Sequence, residues 1–260
     1  MTDALGPRPR IGLFATCLVD FFRPDVGFAA ARLIERAGGE VIVAEPTCCG
    51  QPAWNSGHRR EAADLARRVV AAFAGVDTLV VPSGSCAGMI ARHYPELLDD
   101  DPVYAAPARD LAGRTRELAA WLSDDRGWRP EGVHFNGTVT QHDACAGLRE
   151  LGVRDQPRAL LRAVAGLTLS ESVNCAECCG FGGTFCVKYP EISTRMVDDK
   201  IRGIVESGAD TVVAGDLGCL LNIAGRLARA GHAIEARHFA EIVAGMAEGP
   251  GIGDSEASWR

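Results

Sequence analysis

Cys175-Ala-Glu-Cys178-Cys179-Gly180-Phe181-Gly182-Gly183-Thr184-Phe185-Cys186 is the stretch on which the reading of this chain turns. Four thiols fall within twelve residues, among three glycines, with Glu177 the only charged side chain. Adjacent cysteines followed by glycine occur once more, at Cys48-Cys49-Gly50, 130 residues earlier. A single cysteine precedes each pair, Cys17 by 31 residues and Cys145 by 33. Another follows each pair, Cys86 after 37 residues and Cys219 after 40. The pattern C…CCG…C is therefore present twice and takes up eight of the ten cysteines. Gly75-Val-Asp-Thr-Leu-Val80 and Gly208-Ala-Asp-Thr-Val-Val213 recur 133 residues apart, in step with the cysteines. A fixed-period recurrence of this kind marks an internal duplication.

Working outward, each repeated cysteine follows a short apolar run. Ile11–Thr16 reads as a strand delivering Cys17, Val41–Ala44 as one leading to Cys48, and Thr78–Pro82 as one leading to Cys86. Helices are expected over Phe28–Arg36 and from about Arg59 to Phe73. The second half repeats the order: strands Val139–His142, Leu167–Glu171 and Thr211–Ala214, helices Pro157–Ala165, Glu191–Ser207 and Leu220–Ala230. Between the halves, a helix over Ala108–Leu122 precedes a Gly/Pro break at Gly127–Gly132. An added strand Ala233–Arg237 and a short helix to about Ala247 close the fold, and Gly249–Arg260 reads as a loose tail. Alternation of strand and helix implies parallel sheets. The expected fold is α/β: two pseudo-symmetric parallel-sheet halves, 1–128 and 129–260, with cysteine loops at the strand carboxyl ends. That edge is where open α/β sheets bind ligands.

Composition narrows the chemistry. At 260 residues, 47% hydrophobic and 23% charged, the chain has the make-up of a globular protein. A net charge of −7 argues against nucleic-acid binding. No apolar run approaches the roughly 20 residues of a membrane helix, and Met1–Pro9 carries no secretory signal, so a cytoplasmic location is expected. In a reducing compartment disulfides do not persist, which turns ten cysteines toward metal or redox chemistry. Side chains of adjacent cysteines diverge, so they suit two iron atoms of one cluster better than one ion, and neighbouring glycines let backbone N–H groups reach sulfur. Four thiolates also satisfy tetrahedral zinc, which stays open for one half. Only Cys175-Ala-Glu-Cys178 has the spacing of a redox dithiol. His142-Asp143, just before Cys145, is a candidate hydrogen-bond partner of a cluster sulfur or of the backbone, and His58, Arg59, Arg60, Lys188 and Arg195 near the two CCG loops are candidates for an anionic substrate or partner, or solvated helix starts. No Walker sequence, G-x-G-x-x-G after a strand or nucleophile elbow is present, and no catalytic residue is singled out.

The doubled motif resembles the cysteine-rich CCG domain of the heterodisulfide reductases and of the iron–sulfur subunits of glycolate oxidase and glycerol-3-phosphate dehydrogenase. Cys48-Cys-Gly-Gln-Pro-Ala-Trp-Asn-Ser-Gly57, Pro82-Ser-Gly-Ser-Cys86, Cys178-Cys-Gly-Phe-Gly-Gly-Thr-Phe185 and Gly218-Cys-Leu-Leu-Asn-Ile223 are similar to the lactate utilization protein A family. The resemblance runs from Ile11 to about Ala247. It implies an iron–sulfur, electron-transfer subunit of an L-lactate-oxidising system, working with two partner subunits, at least one an iron–sulfur protein. It further implies a [4Fe-4S] cluster in each half, on Cys17, Cys48, Cys49 and Cys86 and on Cys145, Cys178, Cys179 and Cys219. The heterodisulfide reductase pattern has a fifth cysteine where this chain has Met89 and Asn222, so its disulfide-cleaving chemistry is not carried over. The alternative is a zinc- or thiol-stabilised assembly subunit without redox activity. Cys175 and Cys186 stand outside the repeat, each either a buried thiol or a fifth ligand in the second half.

Overall fold

The computed structural model describes residues 7–254. Eight strands form two four-stranded parallel sheets. The first has β1 (Arg10–Leu13), β2 (Glu40–Val43), β3 (Thr78–Val81) and β4 (Thr115–Glu117) in the order β2-β1-β3-β4. The second has β5 (His134–His142), β6 (Ala165–Leu169), β7 (Thr211–Ala214) and β8 (Glu235–His238) in the matching order β6-β5-β7-β8. In register, Leu13 pairs with Val80 as Gln141 pairs with Val213, so the duplicated segments occupy equivalent places. The α/β fold of two similar parallel halves stands as expected.

The duplication is more complete than the sequence suggests. The added strand Ala233–Arg237 has a counterpart in the first half, β4, inside the stretch expected as a helix over Ala108–Leu122. There the chain forms a helix over Ala105–Gly113, turns at Arg114, and runs three residues beside β3 before a short helix, Leu118–Ala120. Val81 pairs with Glu117 as Ala214 pairs with His238. Helix-forming residues on both sides mask this strand, and the open edge of β3 decides its conformation. The expected loose tail also differs. Ile252 is buried and donates its N–H to Ala236 O at 2.8 Å, and Arg23 Nη2 donates to Pro250 O at 2.8 Å, so the described part packs on β8. Residues 255–260 lie outside the described residues.

One apolar core joins the halves. Ile11, Leu13 and Leu33 pack in the same cluster as Val139, Leu160, Val213 and Phe239, with Trp121 from the connection. Two further clusters flank it. Cys49 and Cys86 belong to one, and Cys179 and Cys219 to the other.

Candidate metal centre

Each cysteine loop is shaped by the same local devices. Cys17 and Cys145 open the helices Cys17–Phe22 and Cys145–Leu151, while Cys86 and Cys219 sit in the first turns of Gly84–Gly88 and Leu217–Arg229. Unpaired N–H groups and the helix dipole favour thiolate at such places. The glycine of each CCG is held at positive φ, 87° at Gly50 and 82° at Gly180. A Cβ at Gly180 would lie 2.8 Å from Ser193 O, and one at Gly50 would lie 3.3 Å from Ala62 O. That turn aims the glycine N–H back at the first sulfur of its pair: Gly50 N to Cys48 Sγ and Gly180 N to Cys178 Sγ, both 3.4 Å.

The structure gathers all eight repeated cysteines, four to a half. Cys49 Sγ is 3.2 Å from Cys86 Sγ. Cys48 accepts from Cys17 and Cys49, and those contacts lower its pKa to about 3. Cys178 stands in the same relation to Cys145 and Cys179 and falls to about 2, while Cys179 is also bonded to Cys219. Hydrogen bonding to the neighbouring sulfurs and burial push Cys17, Cys49, Cys145 and Cys179 up. The order of contact is therefore Cys17, Cys48, Cys49, Cys86 in one half and Cys145, Cys178, Cys179, Cys219 in the other. Burial repeats too: Cys49, Cys86, Cys179 and Cys219 are buried, and the other four are half-buried. Four sulfurs crowded at one point, one of them accepting from two neighbouring thiols and a glycine N–H, form a donor set that fits a thiolate-bound metal or iron–sulfur cluster.

Cavities of about 160 Å³ and 230 Å³ open beside the first and second sets, and Gln51, Ser85, Phe181, Gly183 and Asp216 line both. The CCG loops thus lean across the seam between halves. Asp216 Oδ2 accepts from Ser83 Oγ and Ser85 N, each at 3.0 Å. Lys188 Nζ donates to Ser56 Oγ at 3.0 Å, and Ser56 Oγ lies 3.2 Å from Thr184 Oγ1. Arg59 stacks over the Trp54 ring at 4.5 Å and pairs with exposed Glu96, so it is turned to the surface.

Cys175 and Cys186 do not join either set of sulfur contacts. Cys186 Sγ faces Gly183 O at 3.7 Å, and Cys175 contributes its carbonyl, to Asp143 N at 3.0 Å and Lys200 Nζ at 3.3 Å. Of the two residues at the fifth-cysteine position, Asn222 donates Nδ2–H to Cys179 O at 2.8 Å, whereas Met89 is buried apolar packing. In the first half Tyr94 takes over that hydrogen bond, its hydroxyl 2.8 Å from Cys49 O, just after a π turn at Met89–His93.

Of three further buried polar residues, the sequence marks only His142, just before Cys145, as a candidate partner of a cluster sulfur or of the backbone, while Lys200 and Glu117 escape it. Lys200, 1% exposed, lies near Cys179 and Cys219, and burial lowers its pKa. His142 is buried beside the same sulfurs, its pKa pushed down to about 3 by burial. Neither ring nitrogen makes a well-formed hydrogen bond, the Cys175 carbonyl being the one backbone acceptor that acts on it. Glu117, fully buried at the seam, is pushed up to about 8 by burial and by Asp216. Lining up the halves on Cys17 and Cys145 is the signal that singles out His142, since it replaces Phe14 there.

No helix among the described residues is long and apolar enough to cross a membrane. The cysteine-rich (CCG) domain family matches residues 11–91 and 139–224. Lactate utilization protein A of Geobacillus kaustophilus is 46% identical over 90% of this chain and 98% of its own length. The proteins of that name from Bacillus cytotoxicus and Oceanobacillus iheyensis are 43% and 42% identical, over 90% and 92% of this chain and 98% of theirs. Among solved structures, a hypothetical protein from Helicobacter pylori has the same fold at a TM-score of 0.64 and 13% identity, over 94% of this chain and 50% of that one. The chain belongs to the lactate utilization protein A family, with the cysteine-rich domain present twice.

Proposed function

We propose that each half holds one [4Fe-4S] cluster, on Cys17, Cys48, Cys49 and Cys86 and on Cys145, Cys178, Cys179 and Cys219. The chain then serves as the electron-transfer subunit of a multi-subunit, cytoplasmic L-lactate-oxidising system. The reading rests above all on one observation: two sets of four sulfurs in the same order of contact, each with the same glycine N–H on its central sulfur. The names of the relatives, and their near-complete overlap with this chain, support the link to lactate. A bound [4Fe-4S] cluster supplies one-electron oxidation and reduction. The protein's own part is to hold four thiolates, shield two in the apolar core, and leave the other two toward the shared cleft. Gln51, Ser85, Phe181, Gly183 and Asp216 form a single wall between the sites, a short path for electrons from one half to the other. On this reading residues 1–128 and 129–260 are the two cluster-bearing units, and two partner subunits, at least one an iron–sulfur protein, exchange electrons with them.

A second reading has one observation in its favour. Cys179, Cys219 and His142 bring one donor atom each within 4.8 Å of one another, a zinc-compatible group in the second half. Metal analysis of protein purified and reconstituted without oxygen separates the two. The cluster reading expects about four irons per half and a broad brown absorbance lost in air. Stoichiometric zinc with no iron after reconstitution would contradict it.

A further inference from the structure

His142 ends β5 three residues before Cys145, where the first half has Phe14 three residues before Cys17. Its ring is 1% exposed, and neither Nδ1 nor Nε2 makes a well-formed hydrogen bond, the Cys175 carbonyl being the one backbone acceptor that acts on it. An imidazole carries at least one N–H in either charge state, so a donor stands in the core without a well-formed bond. The fold satisfies its other fully buried histidine: His238 Nδ1 accepts from Ala240 N and Nε2 meets Pro82 O, both at 3.2 Å. The ring of His142 is instead directed to the second cysteine set, one nitrogen lying within 4.8 Å of Cys179 Sγ and Cys219 Sγ. Four cysteines already complete that donor set, so the imidazole is surplus as a ligand and short of a well-formed bond.

Resting on the reading that each half holds a cluster, we infer that His142 donates its ring N–H to sulfur of the second cluster, on the Cys179–Cys219 side. This bond sets the second cluster's reduction potential above that of the first, where Phe14 offers no donor. Hydrogen bonds to sulfur favour the more negative, reduced form of a cluster and are among the main controls of its potential. Lys200, 1% exposed and donating to the Cys175 carbonyl at 3.3 Å, adds a second buried polar group on this side of the molecule. The matching helix of the first half, Arg59–Ala72, buries only Ala62, Ala63, Ala66, Val69 and Val70. Electrons entering at the first half would then run downhill to the second.

The test is a redox titration, each cluster followed by its paramagnetic resonance, on the reconstituted full chain and on His142→Phe and His142→Gln. His142→Phe should lower the potential of the second cluster by about 59 mV or more, tenfold in a one-electron equilibrium, and leave the first unmoved. His142→Gln keeps an N–H and should recover part of the shift. Should His142→Phe fail to fold, His142→Met against His142→Gln makes the same comparison of no donor with donor. An unmoved second potential in an iron-loaded, donorless variant overturns this inference alone. Loss of second-half iron from both the donorless and the Gln variants also overturns it, because His142 would then be a ligand. A wild-type second half that takes up no iron defeats the cluster reading and this inference together.

Discussion

Around Cys49 and Cys86 the packing is apolar, with Phe14 edge-on to Phe73 and a helix whose buried face is alanine and valine. Around Cys179 and Cys219 stand a buried histidine and a buried lysine, and behind them Arg158 held by Asp143 at 2.7 Å and Glu171 at 2.7 Å. The sulfurs, the positive-φ glycines, the N–H bonds to Cys48 and Cys178 and the helix starts are nevertheless the same in both halves. What a thiolate site needs geometrically has been kept in both copies. What tunes its charge and hydrogen bonding differs between them. Even a shared requirement is met by different residues, since the carbonyls of Cys49 and Cys179 are satisfied by Tyr94 and Asn222.

The seam offers the first way to sharpen this contrast, through the equivalent pair Glu117 and His238. Glu117 titrates near 8 in the folded chain against its ordinary 4.5, so the folded state keeps a proton that the unfolded state releases. Its contribution to stability is full below about pH 4.5 and is lost as pH rises through about 8. His238 tilts the other way, because its folded value of about 4 lies below 6.5 and stability is lost as pH falls through that window. Glu117→Gln should match the wild type at pH 5 and exceed its stability at pH 8 by on the order of 3 kcal/mol, measured by denaturant unfolding. Parallel pH profiles for the two proteins would contradict a buried, protonated Glu117.

The CCG glycines come next in size. Gly180→Ala should cost about 2–3 kcal/mol, from positive φ and the approach to Ser193 O, and Gly50→Ala about 1–2 kcal/mol. Equal costs would mean that the second loop is no tighter than the first. The smallest effects belong to the cysteines outside the repeat. Cys175→Ser and Cys186→Ser should each change stability by about 1 kcal/mol or less and leave the iron count unchanged, since both are half-buried and apart from the sulfur contacts. Loss of iron from either variant would give the second half a fifth ligand and deepen its difference from the first.

Much of this was legible because cysteine spacing and glycine turns are local signals. The duplicated Asp-Thr-Leu-Val and Asp-Thr-Val-Val runs located β3 and β7, and C-C-G located both paired-cysteine loops. β4 stayed hidden because Thr115–Glu117 is three residues among strong helix formers and is chosen by pairing with β3. Lys200 stayed hidden because a lysine on a long amphipathic helix is ordinarily solvated, and only the Asn174–Cys175 carbonyls explain its burial. The described end of the tail stayed hidden because Gly and Pro carry no periodicity, while one residue, Ile252, does the docking.

On the cluster reading the two halves carry separate, equivalent sulfur sites. Iron and sulfide counted on anaerobically reconstituted wild type, Cys49→Ser and Cys179→Ser test it most directly. The prediction is about four irons lost in each variant, from its own half only, with the other half's resonance intact. Loss of all iron from either single change would mean one site shared between the halves.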